Sequence, residues 1–175
     1  MDAPAATAPN FIYDAIRYMH IWSPCLALII ALLRSRLFGR ISLTKFAEEL
    51  LSQMILWVIG LESLVVFILH TWFPDATTAT AGWAATPLIY QLGIVNLSFG
   101  ILGFVSLLSS IGFKTATTLG YSIWLFGIGI GHWIFIMKGI TDPANIDFVS
   151  YTDLVVPLIF MVLLMIVYQN QKSKA

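Results

Sequence analysis

The chain has 175 residues, of which 59% are hydrophobic and only 10% are charged, and its mean hydropathy is +0.88. This composition leaves too little polar surface to cover a water-soluble globule, so the lipid bilayer is the predicted surrounding of most of the chain. Nine Lys and Arg residues balance nine Asp and Glu residues, which gives no basis for a nucleic-acid partner. The single cysteine excludes an intramolecular disulfide.

Five apolar segments of near-spanning length recur along the chain. A spanning helix needs roughly 20 mostly apolar residues, and its backbone must be hydrogen-bonded within the segment, so each segment is predicted to be helical. The segments are Phe11–Leu33, Leu43–Phe73, Leu88–Ile111, Thr115–Met137 and Asp153–Tyr168. The predicted fold is all-α, a polytopic transmembrane helical bundle of about five helices. It has a flexible N-terminus over residues 1–10, a single bundle domain over 11–170 and a cytoplasmic tail over 171–175.

The first segment is the least regular of the five. Asp14, Arg17 and His20 occupy its first half, so two interpretations stay open. The segment spans the membrane, or it lies in the interface and four spanning helices remain. Pro24 cannot donate to the carbonyl of residue 20, which predicts a kink and a free His20 carbonyl. Asn96 or a water is the predicted partner of that carbonyl.

The distribution of basic residues predicts the orientation. Arg34, Arg36, Arg40 and Lys45 lie between the first and second segments, whereas the predicted loop from Pro74 to Pro87 has no Lys or Arg. Cytoplasmic loops carry the excess of basic residues, so the first of these loops is predicted to be cytoplasmic. This predicts a protein of the cell inner membrane with its N-terminus on the extracytoplasmic side and its C-terminus in the cytoplasm.

Glycines at helical spacing predict where two helices touch. They are Gly93, Gly100 and Gly103 in the third segment and Gly120, Gly127 and Gly131 in the fourth. Small residues on one helix face let two backbones approach closely. The third and fourth segments are therefore predicted to pack together.

Polar residues inside the apolar segments define the candidate site. At about 1.5 Å of rise per residue, they share one layer about 5 to 15 Å below the outer surface. An ionisable residue in a membrane helix usually faces the bundle interior or a water-filled cavity. The candidate ligand-binding pocket consists of His20, Glu62, His70, Gln91, Asn96 and His132. No residue is assigned a catalytic role.

Glu62 is the sharpest single candidate, and two interpretations of it stay open. A Glu62–His132 or Glu62–His70 pair could shuttle a proton, because a neighbouring imidazole favours the charged carboxylate. A neutral Glu62 hydrogen-bonded to Gln91 or Asn96 would instead hold helices together.

Histidines also raise the question of a cofactor. His70 and His132 are the candidate ligands for a metal or a haem, since neutral imidazole binds iron, copper and zinc; a quinone is the third alternative. The sequence lacks a His-x-x-x-His, a Glu-x-x-His and a Cys pair, the spacings typical of metal sites. It also lacks the Walker, dinucleotide, Gly-x-Ser-x-Gly and metalloprotease motifs of familiar enzymes.

A pattern of residues from the second to the fifth apolar segment resembles that of a known family. It consists of Phe67 to Pro74, Ala79, Gly82 and Trp83, Pro87 to Gly93, Asn96, Leu97, Gly100, Gly127, Gly131, His132 and Asp153. The pattern is similar to that of an uncharacterised prokaryotic family of small membrane proteins, domain of unknown function 6790. The resemblance covers roughly Leu56 to Pro157, and that family commonly has Glu where this chain has Gln91. It implies a helical bundle, supplies no substrate and draws attention to His70, Trp83, Asn96 and His132.

The functional interpretation has two branches. The first is a non-enzymatic membrane protein, a small-ligand binder or an accessory subunit, with a polar pocket near the extracytoplasmic face. The alternative is a redox or proton-linked protein that binds haem, metal or quinone through His70 and His132. The lipid bilayer is the expected partner in both, and both accommodate a homo-oligomer or a subunit of a membrane complex.

Overall fold

A computed structural model describes residues 15–37, 42–81, 84–141 and 148–172. These residues form α-helices and one π-helix, which confirms the predicted all-α bundle. In chain order they are α1 (Met19–Leu37), α2 (Leu43–Met54), the π-helix (Ile55–Glu62), α3 (Ser63–Trp72), α4 (Pro74–Ala81), α5 (Pro87–Leu107), α6 (Ile111–Met137) and α7 (Phe148–Lys172). The predicted flexible N-terminus, residues 1–10, lies outside the described residues.

Four helices in the described part of the chain are long and apolar enough to cross a membrane. They mark the chain as a membrane protein and correspond to the second to fifth predicted segments. α1, which contains most of the described part of the first segment, is not one of the four. The four helices are Leu43–Trp72, which joins α2, the π-helix and α3, then Pro87–Leu107, Ile111–Met137 and Phe148–Gln169.

Local sequence explains where the helices begin. Ser42 and Ser110 precede α2 and α6, and their hydroxyls accept hydrogen bonds from the backbone N–H three residues later, each at 3.4 Å. Such N-caps satisfy donors that the first helical turn leaves free. Pro87 begins α5 at a position where its missing N–H costs nothing.

The predicted loop between the second and third segments contains a short helix instead. Pro74 begins α4, Asp75 lies in its first turn, and the Thr78 hydroxyl donates to the Pro74 carbonyl at 2.9 Å. Proline at the first position and an acidic residue near the helix N-terminus both favour a helix there.

The core of the bundle lies between α1, α2, the π-helix, α6 and α7. Its most buried apolar side chains are at most 1% exposed: Ala27, Ala47, Leu51, Ile55, Ile59, Phe160 and Val167. On α7 the buried residues Val156, Phe160 and Leu163 recur at helical spacing, so one stripe of that helix faces the core.

The α5 glycines contact the second segment and not α6. A Cβ on Gly103 would lie 2.7 Å from the Gly60 Cα, and one on Gly100 would lie 2.6 Å from the Leu64 side chain.

α5 also contacts α6, but through other side chains. The hydroxyls of Ser106 and Thr117 are hydrogen-bonded at 3.0 Å, and a Cβ on Gly120 would lie 3.8 Å from the Phe99 ring. A Cβ on Gly127 or Gly131 would meet no described residue within 4 Å. The α5 glycines therefore do not form the predicted seam with the α6 glycines, although the two helices do contact each other.

Candidate functional site

A buried carboxylate at the end of the π-helix is the centre of the candidate site. Glu62 is 4% exposed, and its two oxygens contact different residues of α1. Oε1 is hydrogen-bonded to Nδ1 of His20, and Oε2 accepts a hydrogen bond from the Ser23 hydroxyl at 2.5 Å. His20 and Ser23 are three residues apart and therefore lie on one face of α1. That face closes over Glu62.

A second carboxylate faces a second imidazole on the neighbouring helices. His132 of α6 is 7% exposed and Asp153 of α7 is 3% exposed, and 3.7 Å separates His132 Nε2 from Asp153 Oδ2. This separation lies within ion-pair range but is too long for a direct hydrogen bond. Gly129 makes the close approach of α6 and α7 possible, because a Cβ there would lie 3.1 Å from the Asp153 Cβ.

Tyr121 lies near the carboxylates of both pairs, Glu62 and Asp153. It is 4% exposed, and its phenol lies beside Ser63 and within electrostatic range of both Glu62 and Asp153. Asp153 in turn interacts electrostatically with His20 and Glu62. Five elements, α1, the π-helix, α3, α6 and α7, therefore contribute to one buried polar layer. We define this layer as His20, Ser23, Glu62, Ser63, Tyr121, His132 and Asp153.

The composition of the layer determines its possible chemistry. Two carboxylates and two imidazoles can each hold an exchangeable proton, and an unpaired ion in this low-dielectric setting would cost several kcal/mol. Protonated and deprotonated partners therefore have to balance across the layer. In the His20–Glu62 hydrogen bond the proton can lie on either the nitrogen or the oxygen.

Three of the six predicted site residues lie in or beside this layer: His20, Glu62 and His132. Glu62 contacts His20, whereas the sequence analysis considered His70, His132, Gln91 and Asn96 as its partner. The position of Glu62 inside an apolar segment therefore indicated a polar site, whereas His20 was not among the predicted partners of Glu62.

The other three predicted residues lie on α3 and α5. The half-buried His70 packs where α3 meets Gly93 of α5, and its Nδ1 is buried without a hydrogen-bond partner among the described residues. Gln91 is exposed. Asn96 donates to the carbonyl of Leu92 in its own helix at 2.9 Å, and this bond replaces the predicted one to the His20 carbonyl.

Asp153, Tyr121 and Ser23 were not among the predicted site residues. Asp153 is the first residue of the fifth predicted segment, so its position along the chain did not indicate burial. A helical signal was nevertheless present, since Asp153 precedes the buried Val156 and Phe160 by three and seven residues and so shares their face. Ser23 follows His20 at the same spacing.

The described part of the chain contains no preformed metal-binding site. No group of three or more His, Cys, Asp or Glu side chains there is arranged to hold a metal ion. The candidate ligands His70 and His132 belong to α3 and α6, and His132 faces Asp153.

The family of the chain follows from a comparison with known families. The model of DUF6790, a family of unknown function, matches residues 17–173. That range contains all the helices described above, so the chain belongs to this family and the resemblance seen in the sequence is confirmed. No curated protein and no solved structure matches the chain significantly.

Proposed function

We propose that the protein is a proton-linked membrane protein in which the buried polar layer takes up and releases a proton. The observation that carries the proposal is Glu62, a 4%-exposed carboxylate with one oxygen on His20 and the other on Ser23. Ionisable pairs in membrane helices are costly, and they commonly mark proton relays. This is the proton-linked branch of the sequence interpretation, with His20, Glu62 and Asp153 added to His132.

The packing of the layer supports proton transfer over a large ligand. Its carboxylates and His132 are enclosed by side chains of five elements, and the His20 side chain alone among its ionisable groups has substantial exposure, at 27%. A proton needs only a hydrogen-bonded route, and His20 supplies an end of that route that water can reach. An accessory subunit of a proton-linked complex fits the same observations.

Infrared difference spectroscopy of the purified protein tests this proposal. The wild type should show carboxyl bands of the layer whose amplitude changes with pH, because the layer takes up and releases a proton. Glu62→Gln should remove the contribution of Glu62 and Asp153→Asn that of Asp153, whereas Glu48→Gln, which changes an exposed carboxylate, should leave both. Carboxyl bands of constant amplitude over the whole pH range, or bands that Glu62→Gln leaves unchanged, would contradict the proposal.

A second candidate function is the binding of a small ligand such as a quinone beside His70. The observation that favours it is the buried, unpartnered Nδ1 of that imidazole in the described structure, since a buried polar atom without a partner costs about 1 to 3 kcal/mol. Organic extraction of the purified wild type, compared with His70→Phe, would show a quinone in the first sample only. Equal quinone content in both would contradict this candidate.

We further propose that the protein lies in the cell inner membrane of a prokaryote with its N-terminus outside and its C-terminus inside. The basic residues before α2 support this orientation. In a Cys25→Ser background, Ala85→Cys should react with an impermeant thiol reagent in intact cells, whereas Ser42→Cys should react only after lysis. Both positions are exposed, so the reverse pattern would mean the opposite orientation.

A further inference from the structure

A cavity lies at the opposite end of the bundle from the buried polar layer. It has a volume of about 550 Å³ and lies where α1 and α7 end and where α2 and α6 begin. Arg34 of its wall is about 14 residues from His20, which is about 21 Å along α1. The cavity and the buried polar layer are therefore separate sites.

The charges around the cavity leave a positive excess. Its wall contains three cations, Arg34, Lys45 and Lys114, and two carboxylates, Glu48 and Glu49. Arg34 Nη1 lies 3.0 Å from Glu49 Oε1, so these two charges offset each other and join α1 to α2. Two lysines and one carboxylate remain, which favours an anionic ligand.

Hydroxyl groups and apolar side chains complete the wall. The Lys114 ammonium donates to the Ser52 hydroxyl at 3.4 Å, a long bond that leaves this cation with donors to spare. The buried Ser35 hydroxyl has no partner among the described residues. The innermost part of the wall is apolar, because it consists of Leu51 and Val167, which are each 1% exposed.

The geometry points to a binding site for the phosphate of a phospholipid headgroup, held by Lys45 and Lys114. Lysine binds phosphate as a compact cation, and Ser35 and Ser52 can donate to phosphate oxygens. The apolar wall suits the glycerol and the first part of an acyl chain, which a free phosphate would leave uncovered. Basic pockets between membrane helices at the cytoplasmic side are suited to anionic headgroups, and the predicted topology puts these helix ends on that side.

Native mass spectrometry of the delipidated full chain in detergent tests the site. Titration with dioleoyl phosphatidylglycerol should give one saturable adduct. Dioleoylglycerol, glycerol 3-phosphate and inorganic phosphate separate the contributions of phosphate and chains, and each should bind at least about fivefold more weakly. Fivefold corresponds to about 1 kcal/mol, the contribution of one cation near a lipid phosphate.

Matched lysine variants locate the adduct. Lys45→Gln and Lys114→Gln should each weaken it about fivefold, Lys114→Arg should retain it, and Lys138→Gln, at the other end of α6, should leave it unchanged. Thermal unfolding of each variant shows whether the fold is kept, and Lys45 is exposed, so its variant tests the site even if Lys114→Gln unfolds. Equal lipid binding by Lys45→Gln and the wild type would overturn the site. Equal binding of glycerol 3-phosphate and lipid would overturn the assignment to lipid.

Discussion

The continuous helix Leu43–Trp72 has two faces that hold the bundle together by opposite means. On one face Gly60 meets Gly103 of α5 so closely that no side chain fits between the backbones. On the other face Glu62, two residues later, is enclosed by His20 and Ser23 of α1. The glycine contact requires that no side chain lies between the two backbones, so it does not tolerate a larger residue. The Glu62 contact depends on polar partners and tolerates changes that keep its hydrogen bonds.

The largest effect is expected on the glycine face. Gly103→Leu would force a side chain into backbone that a Cβ alone approaches to 2.7 Å. The π-helix and α5 would then have to separate, and we expect the free energy of unfolding to fall by about 3 kcal/mol or more. The measurement is reversible unfolding of the purified protein in mixed detergent.

Gly127→Leu is the matched control for that variant. It adds the same side chain to an exposed glycine where a Cβ would meet nothing within 4 Å of the described residues, so its effect should stay within about 0.5 kcal/mol. Similar losses in the two variants would show that added bulk, and not the contact between the π-helix and α5, determines the result.

An intermediate effect is expected on the polar face. Glu62→Ala leaves Ser23 and His20 without their acceptor, which should cost about 1 to 3 kcal/mol. Glu62→Gln keeps an acceptor for Ser23 and should cost less. The same unfolding assay checks this order, and Glu48→Ala, at an exposed carboxylate, supplies the control. A Glu62→Gln variant as unstable as Glu62→Ala would mean that the charge of Glu62, not its hydrogen bonding, stabilises the fold.

Much of the fold could be predicted from the sequence because a membrane span is a local property. The second to fifth segments agree with the structure to within a few residues, apart from the start of the fifth, since hydrophobicity along the chain sets both ends of a spanning helix. The start of α7 was predicted too late. Residues Phe148 to Thr152 are helical, and this extra turn carries Asp153 from a presumed boundary to a buried face.

The partners of each residue were harder to predict, because position in a sequence gives depth but not direction around the helix axis. The eight-residue π-helix makes the difficulty greater. Its i→i+5 hydrogen bonds turn the chain by less per residue than an α-helix does, so the residues after it face directions that a 3.6-residue period does not give. Gly60 and Glu62 both lie in this element. The contact of Gly60 with Gly103 and that of Glu62 with His20 were not predicted.

The smallest effect is expected for Tyr121→Phe, which asks how far the polar face extends into α6. The ring packs edge-on against Phe99, with 5.3 Å between centroids, and against Phe160 at 6.3 Å, and phenylalanine keeps both contacts. Only the buried hydroxyl near Glu62 and Asp153 is lost, and losing its polar interactions should cost about 0.5 to 1.5 kcal/mol. Tyr121→Ala, which also removes the ring, should cost about 3 to 5 kcal/mol, as for a deleted core aromatic. If Tyr121→Phe were as stable as the wild type and left the Glu62 carboxyl band unshifted, the phenol would be only a packing group, and the polar face would end at Ser63.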